Sequence, residues 1–198
     1  IQFKFFKEEI LIILATLAMV YTSLALLLWI PRSITQEPFM LLHQMGRLSI
    51  LSCLKDRTDF QFPQELVDGI QLDKMHATTL LHEVVQQIFN LFSTSGSLAT
   101  WDDTLLDRFL IGLHQQLDNL ETCLGKEKEE DQTHLGSENS RLAVKRYFQG
   151  ISQYLTEKQD SPCAWEVVRV EIRKCFLFIN KLQGKLRNVS CAKEEMDE

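Results

Sequence analysis

A chain of 198 residues, 45% hydrophobic and 24% charged with 8 Gly and 4 Pro, carries enough apolar side chains for one core and too few breakers for a disordered or collagen-like polymer. Its formal net charge of −6 lacks the basic field that nucleic-acid binders present. The five cysteines, odd in number and far apart, fit neither a zinc ribbon nor a dense disulfide scaffold.

Lys4 and Lys7 precede an apolar run from Ile10 to Val20, and the small polar patch Tyr21-Thr22-Ser23 follows it. This is the pattern of a secretory leader, although Glu8 and Glu9 put acid in the basic region and the apolar character resumes from Leu24 to Ile30. Taken as one stretch, Ile10 to Ile30 reaches the roughly 20 residues that span a bilayer. That leaves a membrane-anchored helical adaptor as the rival reading. Small residues at Ser23 and Ala25 favour cleavage, so the expected organisation is a leader over 1–23, a helical domain over 24–187 and an acidic tail over 188–198. An exported chain meets an oxidising compartment, where cysteines pair.

The first predicted helix covers Thr35 to Ser52, with Phe39, Leu42, Met45 and Ile50 among its apolar positions and Pro38 in its opening turn. Cys53 to Lys74 holds Pro63 and Gly69 and reads as a long connector, of a length that is usually functional or a crossover. A second helix runs from Met75 to Phe92, with Leu81, Val84, Val85, Ile88 and Leu91 at three- and four-residue spacing. The third, Trp101 to Leu124, carries Leu106, Phe109, Leu113, Leu117 and Leu120 in the same rhythm. Asp102 and Asp103 complement the dipole at its start. Gly125 to Gly136 reads as a charged, solvated loop. The fourth helix spans Ser137 to Glu157, with Ser137 as cap and Leu142, Phe148, Ile151 and Leu155 inward.

The last helix follows Pro162 and runs to Arg187. At about 100° per residue, Trp165, Val168, Ile172, Phe176, Ile179, Gln183 and Leu186 gather on one side. Arg169, Val170, Arg173, Lys174 and Phe178 spread over the other, a basic face with apolar residues among its charges. The sum is an all-α chain of five helices with two long links, which permit the parallel neighbours of an up-up-down-down bundle.

Catalytic patterns are near misses. His82-Glu83-Val84-Val85-Gln86 begins like a zinc-protease helix, but Gln86 stands where the second histidine belongs. There is no Gly-rich phosphate loop and no Gly-x-Ser-x-Gly elbow. No enzyme, cofactor or metal is therefore expected. A bond between Cys53 and Cys163 would tie the connector to the last helix, and closing a loop of about 110 residues is worth about 4–5 kcal/mol on the chain-entropy model. Asn188-Val189-Ser190 is a glycosylation sequon.

The strings Cys53-Leu-Lys-Asp-Arg-Thr-Asp-Phe60, Phe62-Pro-Gln-Glu65 and Leu81-His-Glu-Val-Val-Gln-Gln-Ile-Phe-Asn-Leu-Phe92 resemble the type I interferons. So do Trp101-Asp-Asp-Thr-Leu-Leu-Asp107, Gln115-Gln-Leu-Asp-Asn-Leu-Glu-Thr-Cys123 and Ser161-Pro-Cys-Ala-Trp-Glu-Val-Val-Arg169, all in family order between Thr35 and Arg187. Within the family, Phe109-Leu-Ile-Gly-Leu-His-Gln-Gln116, Leu135-Gly-Ser-Glu-Asn139 and Val170-Glu-Ile-Arg-Lys-Cys175 look most like the epsilon branch, with omega and kappa as alternatives.

The resemblance implies a five-helix up-up-down-down cytokine bundle, secreted and monomeric. It would bind the two chains of the interferon alpha/beta receptor and drive JAK-STAT signalling in antiviral and innate defence. One receptor chain would meet Leu54 and Arg57 of the connector with Arg169, Val170, Arg173, Lys174 and Phe178 of the last helix. The other would meet His82, Glu83, Gln86 and Asn90, then Leu105, Leu110 and His114, with Lys145 and Arg146 alongside. Leu110 and His114 stand where many relatives carry aromatic residues, and Arg173 replaces a common apolar one. The resemblance also implies a Cys53–Cys163 bond. The relatives' second bond uses an N-terminal cysteine, and none occurs between Leu24 and Ser52. Cys123 is left to pair with Cys191, stay a thiol or cross-link two molecules, while Cys175 is expected buried and free.

Overall fold

Apolar residues at helical spacing fold into the helices they predict, and the departures fall at helix ends and in the links between them. The computed structural model describes residues 36–63, 66, 74–127 and 135–186. The leader, the tail, Asn188 and Cys191 lie outside them. The elements are α1 (Gln36–Gln44), a 3-10 turn (Ile50–Asp56), α2 (Lys74–Phe92), α3 (Ser95–Thr100), α4 (Asp103–Glu127), α5 (Leu135–Glu157) and α6 (Pro162–Leu186). No strand occurs among the described residues, and none of their helices is long and apolar enough to cross a membrane.

Helix α2 packs against α4, α5 and α6, while α1 lies against α4 and α6. Aromatic rings fill the centre. Phe92 of α2 sits 4.9 Å from Phe109 of α4 and 5.7 Å from Trp165 of α6, both edge-on, the orientation that ring quadrupoles favour. Phe92, Phe109, Trp165 and Phe176 are fully buried.

Three expectations are corrected. The first helix stops at Gln44 rather than reaching Ser52. Chain 46–49 leaves helical geometry, and Ser49 caps a separate 3-10 turn by accepting from the Leu51 amide at 3.3 Å. The fourth helix begins at Leu135, which puts Ser137 inside its first turn instead of at its cap. Leu142 is exposed, because the inward stripe is Ser140, Val144, Tyr147, Phe148, Ile151 and Leu155, and a residue two places from Ser140 points about 200° away. The short α3, capped by Thr94, was not anticipated. Asp102 does cap α4, accepting from the Leu105 amide at 3.1 Å.

A polar cluster is enclosed between α5 and α6. The Tyr147 hydroxyl donates to Glu171 Oε1 at 2.8 Å and lies 3.6 Å from Cys175 Sγ. Burial pushes the Tyr147 hydroxyl far above the phenol range, helped by Cys175 and Glu171. Burial likewise pushes the Cys175 thiol from 9.0 up to about 12. The folded chain thus keeps protons that the unfolded chain releases, so this contribution to stability is complete below pH 9.0 and is lost as pH climbs toward about 12. Thermal unfolding measured from about pH 8 to about pH 11 should show a falling midpoint, with a shallower fall in Cys175→Ala, each unmatched proton accounting for up to about 1.4 kcal/mol per pH unit. Equal slopes in the two proteins would contradict this.

Candidate functional site

The connector is fastened to the bundle before any partner arrives. Cys53 is bonded to Cys163 at the start of α6, with their Cα atoms 5.2 Å apart. Gln61 adopts a left-handed φ of 53°, its amide donating to Asp59 Oδ1 at 3.0 Å. On either side of that turn Phe60 meets the Tyr154 ring at 5.1 Å, while Phe62 lies 5.2 Å from Tyr147 and 5.3 Å from Phe178. Between these fastenings Leu54 (56% exposed) and Arg57 face solvent.

On α6 the outward stripe is turned by one residue from the sequence expectation. Phe178 is only 5% exposed, covered by Phe62, whereas Leu177 is 63% exposed. The stripe on display is Val170, Arg173, Lys174 and Leu177. The Arg173 guanidinium lies over the Phe39 ring of α1 at 5.9 Å, which gives the added charge a cation–π partner within the chain. Lys174 Nζ reaches Glu171 Oε2 at 2.6 Å and keeps more than half its surface open.

Arg169 is not on that face. It is 8% exposed, with Nε 2.6 Å from Glu166 Oε2 and Nη2 3.2 Å from Glu166 Oε1. Its Nη1 donates to the Leu42 carbonyl at 3.2 Å, one of the carbonyls that α1 leaves without a helical partner. Glu166 Oε1 also accepts from the Leu48 amide at 3.4 Å. The pair therefore holds the end of α1 and the start of the connector together. A Cβ at Gly46 would stand 2.9 Å from Arg169 Nη2, so a side chain at residue 46 would require this guanidinium to shift.

The residues expected at the second surface separate into two groups. His82 Nε2 is 3.3 Å from Glu121 Oε1 of α4, Gln86 Nε2 donates to Asn90 Oδ1 at 3.0 Å, and the His114 ring lies 6.2 Å from Phe89. These place His82, Gln86, Asn90 and His114 along the α2–α4 seam. Leu110, one turn before His114 on α4, is half-buried against the core, as is Leu105. Leu105, however, shares the flank of Arg108 and Gly112, which meet Glu37 and Pro38 of α1, and it stands roughly 140° around the helix from Leu110. Glu83 is 5% exposed and points inward. Its Oε2 lies 3.1 Å from Arg141 Nε and 3.8 Å from Lys145 Nζ, and its Oε1 accepts from Gln87 Nε2 at 2.9 Å. It joins α2 to α5. Lys145 and Arg146 are exposed on α5.

A family model described as the interferon alpha/beta domain matches residues 29–186. The chain belongs to the type I interferons. Interferon alpha-2 of Equus caballus is 57% identical over 144 residues, 73% of this chain and 78% of that protein. Interferon alpha-14 of Homo sapiens is 55% identical over 152 residues, 77% and 80% of the two chains. Interferon omega-1 of Equus caballus is 54% identical over 151 residues, 76% and 77%. These three relatives are of the alpha and omega branches. The solved structure of zebrafish interferon 2 superimposes with a TM-score of 0.63 at 23% identity, over 74% of this chain and 94% of that one. Zebrafish interferon 1 does so with 0.62 at 22%, over 79% and 96%. These likenesses show the all-α cytokine fold. Interferons are cytokines and not enzymes.

In this interferon, removing the Arg169 side chain leaves Glu166 buried without its cation. Arg169→Ala is expected to lower stability by about 3–5 kcal/mol, whereas Arg169→Met combined with Glu166→Leu should recover most of it. Urea denaturation of the three proteins measures both effects. An unchanged midpoint in Arg169→Ala would show that the pair does not hold α1 to the connector.

Proposed function

We propose that this interferon is a secreted, monomeric cytokine that binds the two chains of the interferon alpha/beta receptor through separate surfaces and thereby activates JAK-STAT signalling for antiviral and innate defence. Secretion follows the leader pattern of residues 1–23. The first surface comprises Leu54 and Arg57 of the 3-10 turn with Val170, Arg173, Lys174 and Leu177 of α6. The second comprises His82, Gln86 and Asn90 of α2 with Leu110 and His114 of α4 and Lys145 and Arg146 of α5. Arg169 and Phe178 act beneath the first surface and Glu83 beneath the second, each holding contact residues in place.

The observation that carries this reading is that the 3-10 turn packs on α6 and is bonded to it through Cys53 and Cys163. Exposed apolar groups at Leu54 and Leu177 are thereby joined to exposed cations at Arg57 and Lys174. A fixed apolar anchor ringed by guanidinium and ammonium donors fits an acidic protein surface with apolar pockets.

Each receptor chain, immobilised separately, provides the test. Arg57→Ala should weaken binding to the first chain by about tenfold or more, the scale of a lost charged hydrogen bond, and leave the second chain's affinity unchanged. His114→Ala combined with Lys145→Ala should do the reverse. Unchanged affinity of Arg57→Ala for both chains would overturn the assignment of the first surface.

A further inference from the structure

The connector's contact residues lie between two fastenings. Cys53 provides one, through its bond to Cys163. The other comes from the C-terminal end of α5 and the residue after it, and closes on Asp56 and Phe60, on either side of Arg57. The Tyr154 hydroxyl donates to the Asp56 carbonyl at 2.6 Å, and Lys158 Nζ lies 3.0 Å from Asp56 Oδ1. The Tyr154 ring also stands edge-on to Phe60 at 5.1 Å and 89°. Leu54, Lys55, Asp56 and Arg57 therefore form a short arch with both feet held. Arg57 is the residue immediately after the clamped carbonyl, and its own amide closes the turn by donating to the Leu54 carbonyl at 3.3 Å.

A long arginine on an unrestrained loop loses rotamer and backbone freedom when it docks, and holding its backbone beforehand removes part of that cost. Neither Tyr154 nor Lys158 belongs to the surface assigned above. We infer that Tyr154 and Lys158 are positioning residues for receptor binding: by clamping Asp56 from the end of α5 and the turn that follows it, they fix the direction in which Arg57 leaves the 3-10 turn. The inference rests on the assignment of the first surface.

Tyr154→Phe keeps the ring against Phe60 and removes only the hydroxyl, so the core contact survives. Lys158→Gln removes only the charge. Each is expected to weaken binding to the first receptor chain by about 3- to 10-fold, the range of one hydrogen bond. Second-chain affinity should stay unchanged. In an Arg57→Ala background, Tyr154→Phe should have no further effect on first-chain affinity, because a positioning role acts only through the group it positions. Amide hydrogen exchange over residues 54–58 should quicken in Tyr154→Phe while α2 keeps its protection.

If Arg57→Ala weakens first-chain binding and Tyr154→Phe does not, the positioning role is wrong and the surface assignment stands. If Tyr154→Phe costs the same with or without Arg57, or weakens both receptor chains alike, the hydroxyl serves general stability and the inference fails. If Arg57→Ala itself changes nothing, the surface assignment fails and takes this inference with it.

Discussion

A guanidinium and a carboxylate enclosed in a protein must satisfy each other completely, and the Arg169–Glu166 pair does more than that. Two atoms of the pair are committed outside α6, one to the Leu42 carbonyl and one to the Leu48 amide. A single turn of the last helix thus determines where α1 ends and how the connector departs. The absence of a side chain at Gly46 leaves the guanidinium room to sit there. The 3-10 turn and the Cys53–Cys163 bond follow in sequence from a start that α6 has already fixed. Breaking such a pair costs more than the pair is worth against a hydrophobic replacement, so its value lies in geometry rather than in raw stability.

The same accounting governs the charges. Glu83, Glu166 and Glu171 are all buried, and each has a basic partner from its own chain: Arg141 and Lys145, Arg169, and Lys174 respectively. Three cations that a helical wheel or a family likeness assigns to receptors therefore already serve an internal acid. Among the described residues, Arg57, Arg173 and Arg146 form no ion pair with a carboxylate. Arg173 is instead steadied over the Phe39 ring. An arginine held by a ring keeps its donors turned to whatever approaches.

Much of this was legible in the sequence, and the failures have physical reasons. The bounds of α2 followed from apolar spacing to within one residue, because that helix buries a continuous stripe from Ala77 to Phe92. Helix α4 starts two residues later than expected and runs on past Leu124 to Glu127. Positions 118–125 are not buried there, so the apolar rhythm gives no bound. The first helix was overextended because Ile50 continues the apolar rhythm, and nothing local reveals that Arg169, far along the chain, occupies the space beside Gly46. Phe178 and Leu177 were exchanged for a similar reason. Adjacent positions near a stripe's edge are separated by about 100°, and the connector's Phe62 decides which of them is covered. Glu83 carried a readable signal that was missed: Arg141 and Lys145 stand four apart on α5, a spacing that presents two cations to one facing acid.

Cys53 and Cys163 are 110 positions apart, and this separation orders events at the ribosome. The arch bearing Leu54 and Arg57 is among the earliest parts of the domain to emerge, yet the thiol that anchors it arrives only with the final helix. Translation can complete α2 and α4 while the first surface is still an untethered strip of chain. Any product that terminates before Cys163 would retain many of the contact groups but not the scaffold that gathers them.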